Sequence, residues 1–126
     1  LSSEIGMQMP VLAGAGIKAM LSQLSDEELD GILARSELKR YTPYSIVDKA
    51  VYREEIRDVR RQGIAYDREE YIEGMVAFAI PITANSRDLQ AAVWAVGLTR
   101  QVPDPSIPEL TQLLKGISEE INYRLL

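Results

Sequence analysis

Apolar residues recur at helical spacing in some stretches of the chain and as continuous or alternating runs in others, and the two habits divide it. Ile17, Ala19, Met20, Leu21 and Leu24 follow the glycine-rich Ala13-Gly14-Ala15-Gly16 and predict a first helix. Residues 1–11, closed by Pro10, read as irregular or extended. Ser25 opens a second helix: it is a strong N-cap, Glu28 completes a capping box, and Asp26 and Glu27 complement the positive helix end. Leu29, Ile32 and Leu33 form its apolar stripe. After a connection over 36–47, Asp48 caps a third helix with apolar Val51, Tyr52, Ile56 and Val59, and Gly63 is its left-handed stop.

From there the period changes. Ile64-Ala65-Tyr66-Asp67 reads as a short strand, and Met75 to Ile82 as a stronger one opened by Gly74. Pro81 donates no ladder hydrogen bond, which puts that end at an edge or a bulge. Asn85-Ser86-Arg87-Asp88 is a turn cluster, and Leu89 to Leu98 is the partner strand. Past Pro103 and Pro105, Ser106 and Glu109 suggest another capping box, before a last helix with Ile107, Leu110, Leu113, Leu114, Ile117, Ile121 and Leu125 at helical spacing. Helices, then antiparallel-type strands, then a helix predict an α+β fold with helices packed on an antiparallel sheet. One face of the strong strand carries Val76, Phe78, Ile80 and Ile82; the other carries the mostly small Met75, Ala77 and Ala79. Small residues leave room for a helix, a subunit or a ligand.

Composition narrows the chemistry. The chain has 126 residues, which fits one domain. It has no cysteine and no histidine, so a cysteine nucleophile, thiolate zinc and a Ser-His-Asp triad cannot be built from it. A formal net charge of −5 argues against direct DNA contact by this segment. No apolar run approaches the roughly 20 residues of a membrane span. The start, Leu1-Ser2-Ser3-Glu4, lacks a methionine and the marks of a signal peptide, and reads as part of something longer.

Four features could carry function. Ala13-Gly14-Ala15-Gly16-Ile17-Lys18 is no phosphate loop, since no Gly-Lys-Ser/Thr follows. It does put small residues at a helix N-terminus, which either eases packing or holds a carboxylate on free N–H groups. Asp67, Glu69, Glu70 and Glu73 read as a solvated turn, or as an oxygen-ligand or carboxylate-pair site without calcium-loop spacing. Lys49, Arg53, Arg57, Arg60 and Arg61 interleave with Glu54, Glu55 and Asp58, the mark of a salt-bridged surface. Trp94, the only tryptophan, lies mid-strand and reads first as a core residue.

The run Val59-Arg60-Arg61-Gln62-Gly63-Ile64-Ala65-Tyr66-Asp67-Arg68-Glu69-Glu70-Tyr71-Ile72-Glu73-Gly74 resembles a pattern of the IclR-type bacterial transcription factors. It is similar to their Arg-x-x-Gly-aromatic-Ala-x-Asp-x-Glu-Glu pattern with a glycine four residues on. Lys18-Ala19, Leu24-Ser25-Asp26-Glu27-Glu28-Leu29 and Thr42 before Asp48 fall at matching places, so the resemblance covers nearly the whole chain from Met9-Pro10 onward. It implies that residues 1–126 are a single effector-binding, GAF-like sensor domain. The winged helix-turn-helix would be absent from this chain, and so would the sensor domain's opening strands.

The resemblance also implies a cytoplasmic regulator that is not an enzyme, acts as a homodimer or homotetramer, and senses a small organic acid. DNA would be bound only through the absent N-terminal domain, with no cofactor, metal or membrane involved. Carried over by position, the ligand-binding residues are Ala15, Gly16, Asp67, Met75, Ala77, Trp94 and Val96. Ile17 stands where the family usually has glycine, Leu12 replaces a common histidine, and Gly97-Leu98-Thr99 departs from Ser-Gly-Pro. Trp94 and Val96 stand where hydroxyl-bearing or small residues are frequent. This implies a more apolar pocket, suited to one carboxylate on a hydroxylated or planar body, either a sugar acid or a hydroxylated aromatic acid. Two rival readings are a hydrolase or isomerase working through Asp67 and Glu69, and a dimerisation module with its pocket filled by Trp94 and Met75.

Overall fold

The structure is a computed structural model that describes Ile5, residues 12–83 and residues 91–125. The expected opening segment, the Asn85–Asp88 turn and the start of the last strand at Leu89 lie outside these residues. Within them the order is α1 (Ala15–Leu21), α2 (Asp26–Arg35), α3 (Lys49–Gln62), β1 (Ala65–Arg68), β2 (Met75–Ile82), β3 (Ala91–Leu98) and α4 (Ile107–Arg124). Two short 3₁₀ turns, Thr99–Gln101 and Asp104–Ser106, link β3 to α4. The strands form an antiparallel sheet in the order β1-β2-β3, so the fold is α+β as expected.

Local chemistry sets most boundaries. The Ser25 hydroxyl accepts from the Glu28 N–H while the Glu28 carboxylate accepts from the Ser25 N–H, which closes the expected capping box of α2. Asp48 Oδ1 accepts from the N–H groups of Ala50 and Val51 at the start of α3. Gly63 ends that helix at φ 73°, a left-handed conformation that a Cβ would strain. On α3, Tyr52, Ile56 and Val59 are buried, but Val51 points outward.

Three expectations need correcting. The first helix stops at Leu21, where Ser22 turns its hydroxyl back to the Ala19 carbonyl, so Leu24 lies beyond it. Ser106 closes no capping box: it is already helical, with φ −85° and ψ −12°, and its hydroxyl donates to the Pro103 carbonyl. Pro105 draws Asp104–Ser106 into a 3₁₀ turn, and that commits the serine before it can reach forward. The apolar stripe of α4 also splits: Leu114 is buried beside Ser118, while Leu113 and Ile117 face outward.

The two faces of the sheet differ as the alternation along β2 foretold. Phe78 and Ile80 pack with Ile64 and with Leu114 of α4, and Val76, Val93 and Ala95 join them. On the other face Ala65, Ala77 and Ala79 meet Ala15 and Ala19 of α1 and Val59 of α3. A helix thus fills part of the room left by the small residues. β1 pairs with Val76–Ala79 only, so Pro81 lies beyond its reach, on a stretch of β2 bonded to β3 alone. A separate core under α2 and α3 is built from Leu12, Leu21, Leu29, Leu33, Tyr52 and Ile56.

Candidate functional site

The register brings the sequence-selected residues to one side of the sheet. Asp67 pairs with Ala77, and Ala77 with Val96, which makes one row across three strands. In the next row Ala65 pairs with Ala79 and Ala79 with Trp94. Met75, two positions before Ala77, shares their face and is half-buried. Helix α1 lies over this face, and its Ala15 and Ala19 touch the alanine rows. Gly14, at φ 95°, turns the chain into α1 beside Asp67; a Cβ there would lie 3.9 Å from Asp67 Oδ2. No side chain caps α1, and the first N–H groups of any α-helix lack intrahelical acceptors.

Trp94 is not an ordinary core residue. It is 43% exposed, and Val96 beside it is 42% exposed. The six-membered ring of Trp94 sits directly on Gly16: a Cβ at position 16 would fall inside the space of its Cζ3 and Cε3 atoms. Glycine at this position is what lets the indole reach the helix.

Asp67 is mostly buried, and its Oδ1 accepts the Glu70 N–H at 2.8 Å. Burial pushes its carboxyl above the ordinary carboxylate range, and the Glu70 charge adds to this. The N–H groups of Glu70 and Tyr71 and the Lys18 ammonium oppose the rise.

The acidic turn after β1 is held from within. Glu69 Oε1 accepts the Gly74 N–H at 2.7 Å, and Glu70 Oε2 accepts the Arg68 N–H at 2.9 Å. Thr42 donates to the Glu69 carbonyl and Ser45 to the Glu70 carbonyl, both at 2.6 Å. These carboxylates are spent on the turn. Among the described residues no group of three or more acidic, histidine or cysteine side chains is arranged to hold a metal ion. Likewise, no helix there is long and apolar enough to cross a membrane.

One central residue was not among the candidate site residues read from the sequence. Lys18 is 1% exposed, and its ammonium donates to Glu70 Oε1 at 2.6 Å, the Tyr66 carbonyl at 2.8 Å and Glu55 Oε1 at 3.2 Å. The sequence marked it only as part of the family-like Lys18-Ala19 pair and as a charge on the alanine side of α1, with its acids far along the chain. The basic face of α3 behaves as expected: Arg53 pairs with Asp30, Arg57 with Glu54, and Arg61 with Asp58. Beside Gly14, a cavity of about 20 Å³ is lined by Leu12, Tyr41, Tyr52 and Glu70, among others. The buried Tyr52 hydroxyl finds no partner among the described residues, and burial together with the Glu70 and Glu55 charges raises its pKa.

The chain is similar to known proteins. The family described as bacterial transcriptional regulator IclR C-terminal matches residues 1–123. The HTH-type transcriptional repressor AllR of Salmonella paratyphi A is 26% identical over 125 residues, covering 99% of this chain and 46% of the repressor. The chain therefore spans about half the length of the curated relatives it matches. The crystal structure of Thermotoga maritima IclR superposes with a TM-score of 0.91 at 30% identity, covering 99% of this chain and 51% of that one. The inducer-binding domain of the PobR transcription factor from Acinetobacter, a double mutant in complex with 3-hydroxybenzoic acid, superposes with a TM-score of 0.84 at 28% identity. That match covers 94% of this chain and 69% of that one.

Proposed function

The chain belongs to the C-terminal family of IclR-type bacterial transcriptional regulators, which are not enzymes, and on that premise we propose that it is the effector-binding domain of a longer cytoplasmic regulator. Its effector is a small organic acid. Ala15, Gly16, Asp67, Met75, Ala77, Trp94 and Val96 form the binding face. DNA is bound by a part of the longer protein outside this chain, and the domain self-associates as a dimer or tetramer.

One observation carries the reading: the uncapped start of α1, the mostly buried Asp67 and the exposed Trp94–Val96 pair converge on one face of the sheet. The helix start suits a carboxylate. The indole suits a flat or hydroxylated body. Asp67 suits a hydroxyl donor better than a second acid. The aromatic hydroxy acid bound by the related inducer-binding domain agrees with this chemistry.

The seating of Trp94 on Gly16 favours a second reading, a dimerisation module whose ligand face is filled by its own side chain. Thermal shift separates the two. With 3-hydroxybenzoate or a sugar acid at 100 times its Kd, the wild type gains about 2.7 kcal/mol. Asp67→Asn and Trp94→Ala should lose or reorder the acid preference. A melting temperature unmoved by every acid in both families, in a protein that light scattering shows to be dimeric, would establish the second reading instead.

A further inference from the structure

We propose that Lys18 is a positioning residue for Asp67: it grips the chain on both sides of that carboxylate while never touching it. The inference rests on Asp67 belonging to the effector face and names what holds it there.

An ammonium carries three N–H donors, and Lys18 has three acceptors. The Tyr66 carbonyl belongs to the residue immediately before Asp67 in β1. The Glu70 carboxylate belongs to the residue whose own N–H holds Asp67 Oδ1. Its second oxygen takes the N–H of Arg68, the residue immediately after Asp67. Lys18 thus fixes the carbonyl before Asp67, the amide after it and the amide bonded to it, two of the three through one carboxylate. The third donor goes to Glu55 on α3, which anchors the assembly to a long helix. With all three protons committed, Lys18 is not itself a free cation for an effector acid. Its effect is transmitted through Glu70.

The charged and titratable groups around Asp67 are Lys18 on α1 and Glu70 on the turn, with Glu55 and Tyr52 of α3 next to Glu70. Lys18 is the cation of this set, and its loss acts on Asp67 twice, by removing a positive charge and by loosening the Glu70 N–H.

The test needs no ligand, so its failure is distinct from a failure of the effector reading. The Asp67 carboxyl is titrated by carbon-13 NMR, and amide exchange is followed at Glu70 and along α2. The variants are Lys18→Gln, Lys18→Met, Lys18→Arg and Glu55→Gln. Lys18→Gln and Lys18→Met should raise the Asp67 midpoint, because a nearby positive charge that opposes the rise is removed. They should also speed Glu70 exchange several-fold more than exchange in α2. Lys18→Arg should restore most of both effects, and Glu55→Gln should leave the Asp67 midpoint in place. An unmoved midpoint in a folded Lys18→Gln overturns the proposal, as does Glu70 exchange that rises only in step with α2. Loss of the fold in both neutral variants also overturns it, because Lys18 would then determine the fold as a whole.

Discussion

Replacing Gly16 by alanine puts one methyl group where the six-membered ring of Trp94 now rests. Two effects compete. Alanine in place of glycine within a helix is worth about 0.5–1 kcal/mol of stabilisation. Forcing an extra methyl into an occupied space costs about 1–3 kcal/mol. Trp94 is 43% exposed and can swing outward, so the cost lies toward the lower end, and set against the helix gain the net loss is at most about 0.5 kcal/mol. In a Trp94→Ala background the added methyl meets no ring, and only the helix preference remains. The same Gly16→Ala change should then stabilise by about 0.5–1 kcal/mol. Urea unfolding followed by far-ultraviolet circular dichroism measures all four corners of this cycle. In the Gly16→Ala single variant, emission from this sole tryptophan should also move to the red as the indole enters water. Equal effects of Gly16→Ala in both backgrounds would refute the contact.

Three other outcomes follow from the described geometry. Asp67 has a raised folded-state pKa, so its ionised form is disfavoured by folding and its contribution to stability falls as pH rises from the unfolded toward the folded value. Asp67→Asn should therefore remove this downward contribution and make the slope of urea stability against pH more positive in the mildly acidic range, and a slope identical to wild type would contradict this. Ser25→Ala should cost about 1 kcal/mol in a urea titration through loss of its cap, whereas Ser106→Ala, which caps nothing, should stay within about 0.5 kcal/mol of wild type. Ala79→Leu should destabilise by at least about 1–3 kcal/mol in the same titration, since Ala79 is fully buried in the contact between α1 and the sheet.

What could be read from the residues alone was what is encoded locally. The bounds of β2 followed from Gly74 and an apolar run of strand length, and its two faces followed from bulky Phe78 and Ile80 alternating with Ala77 and Ala79. Ser25, Asp48 and Gly63 marked helix ends because a cap needs only its near neighbours. Ser106 misled because Pro105 changed the local helix type, which a spacing rule does not register. The face carrying Asp67, Ala77 and Val96 was legible through the resemblance and the period of a strand, and the register agrees with it. Lys18 was not legible as a hub. Its acids lie 37 and 52 residues away, and only the folded chain brings them within reach. The seating of Trp94 was hidden for the same reason: Gly16 is far away in sequence and carries no side chain to signal the contact.

The alanine contact between α1 and the sheet also fixes an order of events. A helix of seven residues is far shorter than the roughly 12–15 that hold together alone in water, so α1 depends on the surface it lies against. That surface is Ala65, Ala77 and Ala79, in strands synthesised well after α1. The roughly 60 residues from the end of α1 to the end of β2 take about 3–12 s to synthesise at about 5–20 residues per second. Until then the alanine side of α1 lacks the strands that cover it and Lys18 lacks Tyr66 and Glu70, while Leu21 can already join the core of α2 and α3. The alanine side of α1 is thus covered only after β1 and β2 are made, and the contacts that Lys18 makes around Asp67 are completed only then.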